Sequence, residues 1–354
     1  METVIFVNIL AVFFALLDSI KLSGKGLLFS FITLFIFLAI RFDYGNDYLM
    51  YQYFFDDLNS GKYGDLGKAG EHFETGYTLL NFIFKYFGFE ALIMFLSIIN
   101  VATIYKIIKT YVPREYYWLA VFIYVFNADF MLIHLSALRQ MTAIMIMFLS
   151  LNYLFNKKYI KYIFCVLLAY LFHTSAIFLV ILIPITYFDW TKKTSSLIIS
   201  SILYFSFFLL SNFFGDFISS FVNLYLGRYS AYSDFEGEVN SGFGFLIYFI
   251  FFVFLFISAK SMSVEQRKLM SVSILAIILS TLAIKVMMIF RLNMYFTIFS
   301  IVTFPLMVYH LKNRLFKIGL IALMFILYLY GFFGFFESEI YSDYYKVYKT
   351  IFDK

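Results

Sequence analysis

Cysteine is almost missing from this sequence: Cys165 is the only one among 354 residues, so neither an intramolecular disulfide nor a cysteine-rich metal site can be built. Its apolar surroundings suit a small buried hydrophobe. Charge is scarce too. Asp, Glu, Lys and Arg make up 14% of the chain against 63% hydrophobic residues, a balance far from that of soluble globular domains. No glycine-rich phosphate loop and no paired-carboxylate nucleotide-sugar site occurs in the short stretches between apolar runs, which argues against cytoplasmic ATP or sugar-nucleotide chemistry. Internal repeats, low-complexity segments and any region resembling a soluble domain are likewise missing.

What remains is a succession of apolar runs with a mean hydropathy of +0.86. A hydrocarbon core of about 30 Å needs roughly 20 apolar residues per helix. Such runs recur from end to end, so the expected fold is all-α and polytopic, one transmembrane domain over residues 1–354. The expected spans are 3–20, 27–41, 89–108, 116–132, 137–155, 159–172, 174–188, 195–214, 243–260, 268–285, 291–310 and 315–334. Two of them, 159–172 and 174–188, reach only about 21 Å each at 1.5 Å per residue. They form either a hairpin of half-helices meeting at "FHTSA" or one long kinked helix, which sets the count at twelve or eleven. The first run has its lysines after it rather than before it, as expected of a retained helix rather than a cleaved signal.

Placing Lys21 and Lys25 inside gathers most of the basic residues on that side, with only Asp18, Glu115, Asp189 and Glu265 among the acids, as the positive-inside rule expects. That distribution requires the short pair to be a hairpin. It leaves two long outer loops, 42–88 and 215–242, and an outer tail, 335–354. "EHFETGYTLLNFIFKYFGFE" in the first loop reads as a short interfacial helix. Thirty tyrosines suit an interfacial belt, so a tyrosine is no site candidate merely for being aromatic.

Ionisable groups within or beside a membrane are costly, so each is a functional candidate. Arg41, Asp47, Glu74, Arg139, His173, Arg228 and Arg291 all fall at or near the outer face of this topology. Four guanidiniums on one rim point to an anionic ligand, because arginine stays charged and offers a planar fork to phosphate oxygens. Blander readings stand beside this one: Arg41 snorkelling from a helix end, Arg228 solvated, His173 hydrogen-bonded in a core, and Glu74 and Asp47 paired with arginine or facing solvent. Gly45 and Gly76 would permit tight turns or close approach beside those carboxylates.

In order along the chain, "RFDYGNDYLMYQYFF", "FETGYTLL", "LSALRQMTA", "FHTSAIFLV", "RYSAY" and "RLNMYF" resemble the EpsG-like family of polysaccharide polymerases, related in role to the Wzy O-antigen and capsule polymerases. The ordered set R-x3-G-x-D-x3-Y, E-x-G-Y, S-x2-R-Q and F-H-x-S-A carries the likeness over about residues 40–305. It departs at Asn46, where the family often has threonine or another small residue. The resemblance implies a GT-C-like polymerase architecture in the bacterial cytoplasmic membrane, with the active site facing the periplasm or cell exterior. It further implies undecaprenyl-diphosphate-linked oligosaccharides as donor and acceptor, the lipid bilayer and a chain-length regulator as partners, and neither nucleic acid nor a cofactor. Because the diphosphate is already activated, catalysis needs stabilisation of the leaving charge and removal of one hydroxyl proton. On this expectation Arg139 and Arg291 hold the diphosphate, with Arg41 and Arg228 as second choices and Tyr51, Gln140 and Tyr295 beside them. His173 is the base, with Glu74 and Asp47 as runners-up; no metal-ligand set stands out. A lipid-linked oligosaccharide flippase and a membrane O-acyltransferase are the competing readings.

Overall fold

The computed structural model describes residues 1–62, 69–70, 72–225 and 243–353; Arg228 and most of the expected 215–242 loop lie outside the described residues. The chain is 78% helical, and its described strands are two residues long each, which makes the fold all-α. This is what lipid demands. With no water to satisfy backbone groups, an apolar chain closes its hydrogen bonds within each helix. Contacts divide the chain into two compact units, Met1–Val180 with Tyr328–Lys354, and Ile181–Leu327.

In the first unit α1 (Glu2–Ser19) and α2 (Gly26–Ala39) pack as a hairpin. Asp18 locks their turn. One carboxylate oxygen accepts from the Leu27 amide at 2.9 Å and the other from Arg114 Nε at 2.8 Å, so a buried charge is paired rather than stranded. After β1 (Arg41–Phe42) come α3 (Tyr48–Asn59) and α4 (Thr75–Phe84), so among the described residues the 42–88 segment holds α3 in addition to the helix expected from "EHFETGYTLLNFIFKYFGFE". These are followed by α5 (Phe89–Tyr111), α6 (Tyr117–Phe126), α7 (Leu132–Ser136), α8 (Leu138–Phe155) and α9 (Tyr159–Tyr170). An aromatic core of Tyr48, Tyr51, Phe54, Phe55, Tyr77 and Phe89 joins α3 and α4 to α5 and, through Leu138, to α8.

The short pair is a hairpin. Tyr162 on α9 donates its hydroxyl to the carbonyl of Leu179 at 2.8 Å, although the two are 17 residues apart. A straight helix would separate them by about 25 Å. The returning arm is a 3₁₀ segment, Thr174–Ile181, followed by α10 (Leu182–Tyr187).

The second unit continues with α11 (Thr194–Tyr225), α12 (Phe243–Ala259), α13 (Val264–Ala283), α14 (Met287–Thr297), α15 (Ser300–His310) and α16 (Arg314–Glu337), whose last turns belong to the first unit. The expected continuous span 291–310 is instead broken into α14 and α15, bent by 51°. At the break the backbone tightens to three-residue bonds, Phe299 to Phe296 and Ile301 to Ile298, and Pro305 removes the bond that Ile301 O would accept. Each of the twelve expected spans has a helical counterpart. Among the described residues six are long and apolar enough to cross a membrane by themselves, or seven if the bent pair is one span, and the others are shorter apolar helices, in keeping with a polytopic fold that has short and broken spans.

The tail folds back onto the first unit. β2 (Lys349–Thr350) pairs antiparallel with β1, Arg41 opposite Thr350, and Ile351 N donates to Ile40 O at 2.8 Å. Ahead of it α17 (Ser342–Tyr345) buries Tyr345, whose hydroxyl lies 2.9 Å from Leu132 O, 2.6 Å from Ser136 Oγ and 3.2 Å from Asn46 Oδ1. Tyr348 stacks on Phe37 at 4.5 Å and donates to the Phe37 carbonyl. The tail therefore staples the 41–47 turn to the chain just ahead of α8. Tyr345→Phe keeps the ring packing and leaves buried acceptors unmatched, which should cost about 1–3 kcal/mol. A lowered thermal unfolding midpoint in detergent, with helix content unchanged, is the expected result.

Candidate functional site

The site begins with a glycine. Gly76 N donates to Leu171 O at 2.8 Å, so the first turn of α4 abuts the tip of the α9 hairpin. A Cβ at residue 76 would fall 2.7 Å from that oxygen and 3.0 Å from Leu171 Cβ. The missing side chain is what brings Glu74, the residue preceding α4, against His173 on the hairpin tip.

Glu74 bridges two partners. Its Oε2 accepts from Arg139 Nη1, and its Oε1 lies 3.3 Å from His173 Nδ1 and 3.4 Å from the Thr174 amide. Nδ1 approaches the carboxylate without the alignment of a hydrogen bond. Arg139 stands in the first turn of α8; its Nε reaches Tyr51 OH at 3.4 Å and its guanidinium lies 4.5 Å over the Phe73 ring. Side-chain exposures of 23% for Arg139, 13% for Glu74 and 15% for His173 show a cluster mostly withdrawn from solvent yet reachable.

Burial alone would raise the Glu74 carboxyl, but the His173 contact and the Arg139 charge outweigh it and hold the group at about 2. Glu74 is thus a permanent anion, unsuited to taking a proton at neutral pH. Its chemistry is to orient its partners, and it leaves His173 Nε2 as the ring atom directed away from the carboxylate.

Other candidates fall differently. Tyr51 joins the cluster through Arg139, and Gln140 is buried beside it on α8. Asp47 immediately precedes α3, its carbonyl accepting from Tyr51 N at 3.1 Å. Two residues earlier Gly45 has φ +114°, and a Cβ there would stand 2.8 Å from Ser136 Oγ, so the R-x3-G pattern encodes a close crossing of two loops. Asn46 gains a role in that crossing by accepting from Ser136 Oγ at 2.7 Å. Arg41 is 2% exposed and lines a separate cavity that includes none of Glu74, Arg139 and His173. Arg291, half-buried, and Tyr295, buried, lie on α14 of the second unit.

Phe73, Ser136 and Tyr345 were not site candidates from sequence. Phe73 and Ser136 stand inside the quoted motifs, next to Glu74 and three residues before Arg139, a signal that was legible; Tyr345, one of thirty tyrosines, carried none. Among the described residues no three or more His, Cys, Asp or Glu side chains gather in a way that could hold a metal ion.

A family model described as EpsG family matches residues 26–350, nearly the whole chain. The chain belongs to the EpsG family. Membership supports a polysaccharide polymerase-type role, a glycosyltransferase at the family level, and lipid-linked sugars as its general substrate class. Neither the curated proteins nor the solved structures contain a match.

Two outcomes are expected. Gly76→Ala should separate Glu74 from His173 and reduce polymer formation at least tenfold while the protein still inserts and folds, checked by polymer yield against membrane protein level. Because the folded carboxyl of Glu74 lies below its ordinary 4.5, the stability it contributes is present above pH 4.5 and lost as pH falls towards 2. Unfolding midpoints of the wild type should accordingly drop more steeply across that interval than those of Glu74→Gln.

Proposed function

We propose that this EpsG-family chain joins lipid-diphosphate-linked oligosaccharide units on the outer leaflet of a bacterial cytoplasmic membrane. The observation that carries the reading is the single carboxylate of Glu74 shared between a guanidinium and an imidazole. That arrangement supplies the two things the reaction needs. An acceptor sugar hydroxyl attacks the anomeric carbon of the donor, its proton passes to His173 Nε2, and the bond from that carbon to the phosphate oxygen breaks. The leaving diphosphate takes the bonding pair and meets Arg139, whose remaining donors form charge-assisted hydrogen bonds to phosphate. Glu74 stabilises the imidazolium that forms and keeps the guanidinium in place, so base and anion-binding group stay in register.

The low proton affinity of Glu74 favours His173 over Glu74 as the base; Asp47 remains the other carboxylate for that role. Arg291, Tyr295, Gln140 and Arg228 belong to the proposal as further substrate contacts, on the pattern of the family motifs. Outward orientation is supported by the lysine distribution, which the hairpin at 159–188 leaves consistent. Undecaprenyl diphosphate as carrier, capsule, O-antigen or exopolysaccharide as product, and a chain-length regulator as partner are parts of the same proposal.

In vitro assembly from purified protein and a lipid-linked repeat unit tests it. Arg139→Ala should slow chain growth about a hundredfold, some 3 kcal/mol of transition-state stabilisation. His173→Ala should slow it comparably. Unchanged polymer length and yield from Arg139→Ala would end the diphosphate assignment, and full activity from His173→Ala would move the base role to Asp47.

A further inference from the structure

Arg41 is a charge without a counter-ion. Its side chain is buried, Nη1 donates to the Leu38 carbonyl and lies 3.4 Å from Ser97 Oγ, and Nε has no partner. Among the described residues no aspartate or glutamate pairs with it. A guanidinium does not lose its proton in a protein, so burial cannot neutralise it. Leaving such a group uncompensated is strongly unfavourable.

The cavity that Arg41 lines is walled by Leu38, Leu96, Leu135 and Leu138, with Asn100 and Thr142 as its other polar members besides Ser97. The hydrogens of the two hydroxyls are committed, Ser97 to Ile93 O at 2.7 Å and Thr142 to Leu138 O at 2.8 Å. Tyr124 OH donates to Asn100 Oδ1 at 3.1 Å, which assigns that atom as the acceptor and leaves the amide nitrogen as a donor. The Arg41 Nε–H is thus an unpartnered buried donor beside a full positive charge, and the Asn100 amide nitrogen is a second donor on a residue that lines the cavity. The space suits a body about the size of a water molecule. A water there would leave the charge unbalanced; an anion would balance it.

We propose that Arg41, Asn100 and the surrounding leucines form a binding site for a small monovalent anion of halide size, distinct from the Glu74–Arg139–His173 cluster. Its occupant ties the end of α2, which presents the Leu38 carbonyl, to the middle of α5 and the first turns of α8. It serves as a structural counter-ion, so it is read by binding and stability and stands or falls independently of the polymerase proposal.

The test is thermal unfolding of the purified full chain in detergent, with sodium chloride or bromide exchanged against sodium gluconate at constant ionic strength. The wild-type midpoint is expected to rise saturably with halide, by about 2 °C or more. Arg41→Leu should abolish the dependence. Should that variant fail to fold, Asn100→Asp supplies a carboxylate within the same cavity and should give a midpoint insensitive to halide. Equal wild-type midpoints in chloride and gluconate would overturn the proposal, as would halide dependence that survives Asn100→Asp. Stabilisation by sodium pyrophosphate but not by halide would overturn it as well, assigning the cavity to a larger phosphate ligand.

Discussion

One carboxylate organises the candidate site: Glu74, held as an anion between Arg139 and His173. In a setting mostly closed to water a lone guanidinium or a newly formed imidazolium would be costly, and a shared carboxylate compensates both. Three segments far apart in the chain must meet for this to happen. The start of α4 brings the acid, the first turn of α8 brings the arginine, and the tip of the α9 hairpin brings the imidazole. Each is positioned by apolar packing that has no chemistry of its own. The aromatic core of Tyr51, Phe54 and Tyr77 seats α4, and Phe73 lies under the guanidinium.

Close approach is the second constraint, and glycine supplies it at two places. Gly76 lets α4 touch the hairpin tip, and Gly45 lets the 41–47 turn cross over Ser136. The second crossing is stapled from the opposite end of the chain, where Tyr345 meets Asn46, Ser136 and the Leu132 carbonyl. The C-terminal tail is thus part of the frame around α8 rather than an appendage. The motifs R-x3-G-x-D, E-x-G-Y and S-x2-R-Q make physical sense as a set: each pairs a polar or charged residue with a small one that allows another segment to come near.

Charges outside this cluster divide into paired and unpaired. Asp18 with Arg114, and Asp189 with Arg267 at 2.5 Å, are compensated pairs that fix turns and helix ends. Among the described residues Arg41 is a buried guanidinium with no carboxylate paired to it, in a cavity lined by Leu96 and Leu138. Of the four guanidiniums read from sequence as one group, Arg139 joins the Glu74 cluster, Arg41 lines a cavity of the first unit whose lining does not include Arg139, and Arg291 lies on α14 of the second unit.

Much of this was legible in the residues alone. An all-α polytopic fold follows from hydrophobic runs too long and too frequent for a water-soluble core, since lipid leaves the backbone no alternative to helices. The hairpin at 159–188 follows from lysine bias, because a single crossing would invert every later loop. Glu74, Arg139 and His173 stood out because ionisable groups beside a membrane are rare. Which of them touch, and that Arg41 turns to a cavity of its own, depended on side-chain direction across segments tens to hundreds of residues apart. So did the break between α14 and α15, the formation of α3 ahead of α4 and the reach of Tyr345 from the tail. Hydropathy is a sum over neighbours in the chain and reports where a segment can reside; pairing is decided by neighbours in space, which only the packed structure supplies.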